Sequence, residues 1–344
     1  MLISLLFFTT GVLEFNGQAG VQAEILSASG QVFYLANGEY RPKARLCWET
    51  GRNKFDIEAS IRAVFQTIWH QESTSYQADI SLYRAFARFL SKGNEVRVGL
   101  QQINFGSAIL LRPLRWFDRL DPLDPLQTTE GVYALLYRYY LNNHSLWLWG
   151  LIGNSAPKGA ELTPTVKWQP EAGGRLELSL PRGEIGLCFH HRQTEPFDSV
   201  KTVVPENKIG LDGRWDIGIG LWFEGMLLQR QNQWQQQVML GSDYTFGIGN
   251  GLTLLFEQMA SAGSSWFHHS ALSLNYPLGL LDNLQLFALF DWQKRSPYIY
   301  LSWQRRWDRW LLGVAGFLKE KEMIGLISPR NADKGIMIQV MFNH

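Results

Sequence analysis

The densest set of chemistry-bearing residues lies in SAILLRPLRWFDRLDPLDPLQTTEG, residues 107–131. Arg112, Arg115 and Arg119 stand there beside Asp118, Asp121 and Asp124, three charges of each sign. Pro113, Pro122 and Pro125 remove backbone donors and fix φ, so the segment reads as a loop, not as part of a sheet ladder. It also carries Leu110, Leu111, Trp116 and Phe117, which favour burial over water. Opposed charges on a loop folded into a water-filled lumen would set a transverse field and an ion preference. These six charged residues are the expected constriction. The alternative is a lid packed outside a pore.

Two further constellations have the spacing of catalysis or metal binding. His268 and Ser270 form an H-x-S pair on one face of a strand, the residue types of a base and a nucleophile in a lipid hydrolase. No supporting motif surrounds it, so no catalytic residue is assigned. His190 and His191 are adjacent, and neighbours on a strand point to opposite faces, which disfavours one shared ion. No P-loop, G-x-G-x-x-G in a βαβ setting, H-E-x-x-H or C-x-x-C occurs. The expected inventory therefore has no metal and no cofactor. With 32 Lys+Arg against 31 Asp+Glu, the charge balance gives no reason to expect nucleic acid.

The elements that must position these residues show a period of two. Phe55, Ile57, Ala59, Ile61, Ala63 and Phe65 alternate with a mostly polar set, as do Leu284, Leu286, Ala288, Phe290 and Trp292. Side chains alternate faces along a strand, so each segment has one apolar and one mixed face. Segments of about 9–11 residues recur, the length of a tilted strand crossing hydrocarbon. Tight turns are expected at Trp215-Asp216, Gly247 to Gly251, Pro277 to Asp282 and Trp307-Asp308, and longer connections at Thr194 to Glu206 and Glu320 to Lys334. Trp48, Tyr76, Tyr137, Tyr139, Trp222, Trp234, Trp292, Tyr298 and Trp310 gather near segment ends, as interfacial aromatics do. The fold class is all-β: a transmembrane antiparallel barrel of about 18 strands, within about 16–20, at roughly 18 residues per strand and connection. Its proline-containing loop folds inward.

Alternation places Arg62, Arg97, Arg138, Arg192 and Arg214 on the face opposite the apolar set. A slip of phase near Leu82–Tyr83 predicts a β-bulge that leaves Arg84 and Arg88 facing inward too. These seven arginines are the expected lumen lining; each alone also fits a structural salt bridge. Their concentration near the proline loop implies a mildly cation-repelling lumen. GGRLELSLPRGEIGLCFHHR, 173–192, reads either as a hairpin turned at Pro181-Arg182-Gly183 or as one kinked strand. Cys47 and Cys188 are too few for a disulfide scaffold.

Met1 to Leu13 is apolar and uncharged, and Val21-Gln22-Ala23 offers a small-residue cleavage site. Residues 1–23 read as a secretory signal peptide and 24–344 as the barrel; the alternative is a buried first strand or helix. At the other end, Lys334-Gly335-Ile336-Met337-Ile338-Gln339-Val340 leads to Phe342 and resembles the C-terminal strand that barrel-assembly machinery recognises, although Asn343 and His344 follow the aromatic.

Gly99-Leu100-Gln101-Gln102-Ile103-Asn104-Phe105-Gly106 and the proline loop after it resemble the signature of porin-like bacterial outer-membrane barrels akin to alginate-export-type channels. The resemblance is sharpest over Val96 to Arg138. It implies a barrel in the outer membrane of a Gram-negative bacterium, surrounded by outer-membrane lipid, passing small or polymeric hydrophilic solutes passively, and not an enzyme. The competing readings are a plugged barrel with a structural or surface-binding role, or an outer-membrane lipid hydrolase.

Overall fold

The computed structural model describes residues 11–71, 73–119, 128–195, 203–263, 266–320 and 332–344. These form eighteen strands and no helix. In chain order they are β1 (Gly11–Ala28), β2 (Gln31–Thr50), β3 (Asn53–His70), β4 (Ser73–Ser91), β5 (Asn94–Gln101) and β6 (Val132–Leu141). Next come β7 (His144–Leu151), β8 (Glu171–Leu180), β9 (Gly183–Thr194), β10 (Val204–Asp216), β11 (Gly220–Arg230) and β12 (Gln233–Phe246). The last six are β13 (Leu252–Ala262), β14 (Phe267–Pro277), β15 (Asp282–Asp291), β16 (Ser296–Trp307), β17 (Trp310–Lys319) and β18 (Lys334–Asn343). Each pairs antiparallel with its sequence neighbours, and β18 pairs with β1 from Gln18↔Asn343 to Ser27↔Lys334. The sheet is thereby closed, which leaves no long edge across the wall.

The chain forms these hairpins because period-two segments are punctuated by residues that tolerate positive φ. Lys92 and Gly93, between β4 and β5, have φ of 45° and 83°, the primed-turn geometry that matches strand twist. Arg182, at φ 60°, turns β8 into β9, so 173–192 is a hairpin and not a kinked strand. The turns at 217–219, 247–251, 278–281 and 308–309 all fall at one end of the barrel. The long connections 102–131, 152–170, 195–203 and 320–333 all fall at the other.

Opposite Ser60 and Ile61 the register shifts: Ser60 faces Arg84 and Ile61 faces Leu82, so Tyr83 is the extra residue of a bulge. That bulge turns Arg84 and Arg88 inward. Outward positions are apolar and exposed around the whole wall, including Val98, Leu135, Leu187, Leu240, Leu301 and Ile338. A band of this extent is a surface for hydrocarbon, not for water. Trp234, Trp292, Trp307 and Trp310 are exposed at its two ends.

The structure corrects two expectations. The barrel wall begins before Glu24: residues 11–28 are one continuous strand, paired with β2 from Gly11↔Trp48 to Ala28↔Gln31. The expected boundary at residue 23 therefore falls inside β1, where Leu13, Phe15, Val21 and Ile25 face outward and Glu24 is buried inward. Met1–Thr10 lie outside the described residues. Second, Trp222 and Tyr298 are not interfacial aromatics but buried inside the barrel. The inward, mixed face of β12–β18 carries an apolar set of its own. Met239, Met259, Phe287, Tyr300, Phe317 and Met337 form an apolar cluster there, joined by Ala108, Leu110 and Leu111 of the proline loop. The physical reason is that the loop crosses the lumen and carries its own apolar side chains to that wall.

Candidate functional site

The loop between β5 and β6 is held inside the barrel by three inward carboxylates. Ser107 Oγ donates to Asp212 Oδ2 of β10 at 3.0 Å. The amides of Ala108 and Leu114 donate to the two oxygens of Glu224 of β11 at 2.8 and 3.0 Å. Ile109 and Leu110 donate theirs to Glu257 of β13 at 2.7 and 2.9 Å; Leu111 donates to the same carboxylate. Trp222 Nε1 donates to Glu257 at 2.9 Å. A loop crossing a lumen has amides with no ladder partner, and the carboxyl oxygens of these side chains accept them. Gly106 permits the approach: its φ is 101°, and a Cβ there would lie 2.2 Å from Glu224 Oε1.

Within the loop, Arg112 and Asp118 are both buried and pair at 2.7 Å. This corrects the expectation that they line the constriction. They bridge the short segment 112–118 inside the loop, and Arg112 also donates to the Phe105 carbonyl at 3.4 Å. Trp116 and Phe117 lie edge-on to Phe105, which stacks on Trp149 with ring centroids 5.5 Å apart. Arg115 is half-buried and Arg119 exposed. Asp121 and Asp124 lie outside the described residues.

A second connection, 152–170, folds in beside the first, a feature that the sequence reading missed. Ala160 N–H donates to Arg115 O at 2.9 Å, and the Arg119 guanidinium donates to the carbonyls of Gly159 and Pro157 at 3.1 and 2.8 Å. Beneath it runs a buried ionic network. Glu161 meets Arg192 at 2.7 Å, Lys208 at 3.0 Å and Lys158 at 3.2 Å. Arg192 also reaches Glu206 at 2.6 Å, and Glu171 joins Lys158 and His190 at 2.9 and 3.0 Å. Burial opposes the charge on Glu161, but Lys208, Arg192 and Lys158 outweigh it and hold its carboxyl below the ordinary range. Glu161, Glu171 and His190 have metal-like proximity. The three cationic side chains already occupy those carboxylates, so the cluster reads as an anchor for the second loop. Arg192 is thus fully buried and not a lumen-lining residue. The available signal was the inward parity of His190, Arg192, Glu206 and Lys208 on adjacent strands.

The wall formed by β2–β6 is different. Arg62 makes a two-point contact with Glu39 at 2.9 and 2.7 Å, and Arg88 pairs with Asp56 at 2.8 Å. Arg97 pairs with Glu95, and Arg138 lies 3.7 Å from Glu95 and over the Trp147 ring. Arg84 donates to Thr129 O at 2.8 Å and lies over the Tyr83 ring. Between this wall and the first loop is a cavity of about 260 Å³, lined by Arg84, Arg97, Arg138, Glu58, Gln102 and Asn104. Arg214, on β10, is half-buried and lies 3.7 Å from Asp243, away from that cavity.

The remaining constellations take no part. His268 and Ser270 lie on the outer face of β14, where His268 stacks on Trp292 and Trp292 Nε1 donates to Ser270 Oγ at 2.9 Å. That hydroxyl is engaged by an indole, not by an imidazole. His190 and His191 point to opposite faces, with His191 on Asn207. Cys47 and Cys188 are free thiols.

No protein-family model and no curated protein matches the sequence. Solved structures do. OccAB3 of Acinetobacter baumannii matches with a TM-score of 0.59 at 8% identity, covering 96% of this chain and 99% of that one. OccK7 of Pseudomonas aeruginosa matches at 0.57 and 9%, covering 98% and 99%. An anion-selective porin from Comamonas acidovorans matches at 0.54 and 12%, covering 97% and 100%. The chain has the fold of these outer-membrane barrels over nearly its whole length.

Proposed function

We propose that this chain is a porin-like channel of the bacterial outer membrane that passes small or polymeric hydrophilic solutes and favours anions. One observation carries the reading. The first inward loop leaves a cavity between itself and the β2–β6 wall, and three guanidinium groups line it against one carboxylate. An arginine-rich, water-filled path lowers the energy of anions and raises that of cations. The apolar outer band supplies the membrane side of the argument, since charges placed there would cost about 2–4 kcal/mol each near the midplane.

The likeness of Val96 to Arg138 to alginate-export-type channels supports extending the solute class to extended anionic polymers. Gln101 of that motif is fully buried and donates to Ala134 O at 2.9 Å, so the motif fixes the point where β5 gives way to the loop. The C-terminal strand β18 closes the barrel against β1, which supports its being the segment that barrel-assembly machinery reads.

A second reading has its own observation. The apolar cluster on β12–β18 and the ionic network under the second loop fill much of the lumen, as a plugged barrel with a binding role would require. Proteoliposome swelling separates the two. Gluconate and small neutral sugars should enter, gluconate faster. Liposomes that do not swell in any solute would overturn the channel in favour of the plug.

A further inference from the structure

The closed wall does not end at one height. β4 pairs with β3 along its whole length, from Asn53↔Ser91 to His70↔Ser73. With β5 it pairs only from Ser91↔Asn94 to Ala85↔Leu100, because β5 ends at Gln101 and its chain turns into the lumen. The returning chain meets β4 at the bulge: Arg84 donates to Thr129 O at 2.8 Å, and the Thr129 amide donates to Tyr83 Oη at 3.4 Å. Beyond that point no strand or bridge among the described residues pairs with the far side of β4. Ser73 to Leu82 are exposed without interruption, Tyr76 and Ile80 at 79% and 74%.

Alternate residues of a strand turn their amide and carbonyl to opposite sides, so every second residue from Ser73 to Leu82 presents both groups to the open side. Natural sheet edges are blunted by Pro, by Lys or by short length. STSYQADISL has neither residue and is a full strand long; its one charge is Asp79. The edge lies at the end of the barrel with long connections, the cell-surface end of such barrels. Ile80 and Leu82 continue the apolar outer band beside Ala63 and Ile61 of β3, and Tyr76 stands above them as an interfacial aromatic does. The lower part of the edge is thus at the depth of lipid, where open sheet edges are not tolerated. Ser75, Gln77, Asp79 and Ser81 form its other face.

We propose that β4 receives an extended polypeptide strand of a second protein at the cell surface, laid along Ser73 to Leu82. The chemistry of the edge specifies this occupant. A strand edge is satisfied by a peptide backbone, whose donors and acceptors recur at the same spacing, and side chains at alternate positions then give specificity. A sugar chain or a lipid tail offers no such ladder. Side chains opposite one another across a strand pair interact. The incoming strand is therefore apolar beside Tyr76, Ile80 and Leu82, and polar on its other face, with a cation beside Asp79. The inference rests on the barrel spanning a membrane but not on conduction.

Residue-resolved amide exchange on the full chain in detergent tests it. The probe is a nine-residue synthetic peptide alternating threonine and valine, its central threonine replaced by lysine. In the protein alone, alternate amides between residues 74 and 82 should exchange fast. The probe should slow those amides several-fold and leave the others unchanged. Methylating alternate amides of the probe should abolish binding in one phase and spare it in the other. Asp79→Lys should weaken the lysine probe several-fold and favour a probe with glutamate in its place; heat-modifiable migration checks that the variant folds. Alternate amides already protected without the probe would overturn the proposal, since this chain would then cover its own edge. So would protection that rises with protein concentration alone, the mark of a second copy, or two methylated probes that bind alike, or a charge change without effect. Currents in bilayers would survive any of these results, so failure here is distinct from failure of the channel reading.

Discussion

The carboxylate of Glu257 accepts the amide of Leu110 at 2.9 Å, although the two residues are 147 positions apart in the chain. The same carboxylate also holds Ile109, Leu111 and the Trp222 indole, so one side chain on β13 fixes the apex of a loop that starts on β5. Glu257→Ala would leave buried amides without acceptors, at about 1–3 kcal/mol for each unsatisfied group. We expect the loop to swing free, trypsin to cut after Arg115 in the folded barrel, and single-channel conductance to rise. Glu257→Gln, which keeps an acceptor oxygen, should show a smaller effect in the same direction. An Ala variant as trypsin-resistant as the parent would show that the loop is held by other contacts.

Gly106 tests the same attachment from the loop side. Gly106→Ala places a Cβ against Glu224 and imposes a left-handed φ on a residue that resists it, which costs about 1–3 kcal/mol. Lower thermal stability and faster amide exchange at 106–114 should follow. A variant with unchanged exchange would mean that the carboxylate can move aside freely.

The second loop should respond to acid. The Glu161 carboxyl is held below its ordinary value, so the folded state binds fewer protons there than the unfolded chain. The stabilisation is then complete above the unfolded value of about 4.3 and is lost as pH falls through the lower folded value. Amide protection factors across 152–170, taken against the intrinsic rate at each pH, should stay high at pH 7 and fall below about pH 4. In Glu161→Gln that step should vanish, with the loop loosened at every pH because Arg192, Lys208 and Lys158 have lost their shared counter-charge. Protection factors that do not change between pH 7 and pH 3 in the parent protein would contradict the assignment.

Residues 11–23 should be needed for closure. A chain starting at Glu24 loses the β18 partners of Gln18 to Ala23 and the β2 partners of Gly11 to Ala23. It should fail to give the heat-modifiable band of a closed barrel. A truncated chain that still folds would restore the boundary expected from sequence.

Much of this architecture was legible, because local rules fix it. The period of two gave the strands, and Gly247 to Gly251 and Trp307-Asp308 gave tight turns. The phase slip at Tyr83 gave the bulge that turns Arg84 inward. The misreading of residues 11–23 came from weighing the apolar start over the alternation of Glu14, Asn16, Gln18, Gln22 and Glu24. The loop's anchors were not legible: a carboxylate at 257 carries no local sign that it caps amides at 109–111. Nor were the inward methionines of β12–β18, whose burial depends on a loop arriving from across the lumen. Arg112 and Asp118, six residues apart on a proline-bent segment, are a pair that sequence could have offered and that charge counting hid.

The arginine wall is the part of the site closest to transport. Arg84→Glu with Arg138→Glu reverses two of the three cationic charges at the cavity and should move the reversal potential in a salt gradient toward cations. Loss of folding is separable, since a conducting variant has by definition folded.

The parent protein in a planar bilayer under a potassium chloride gradient gives the most direct test. Discrete current steps with a reversal potential on the chloride side are the predicted result. A purified, heat-modifiable barrel that inserts and conducts nothing, or one whose current is carried by potassium, would contradict the account.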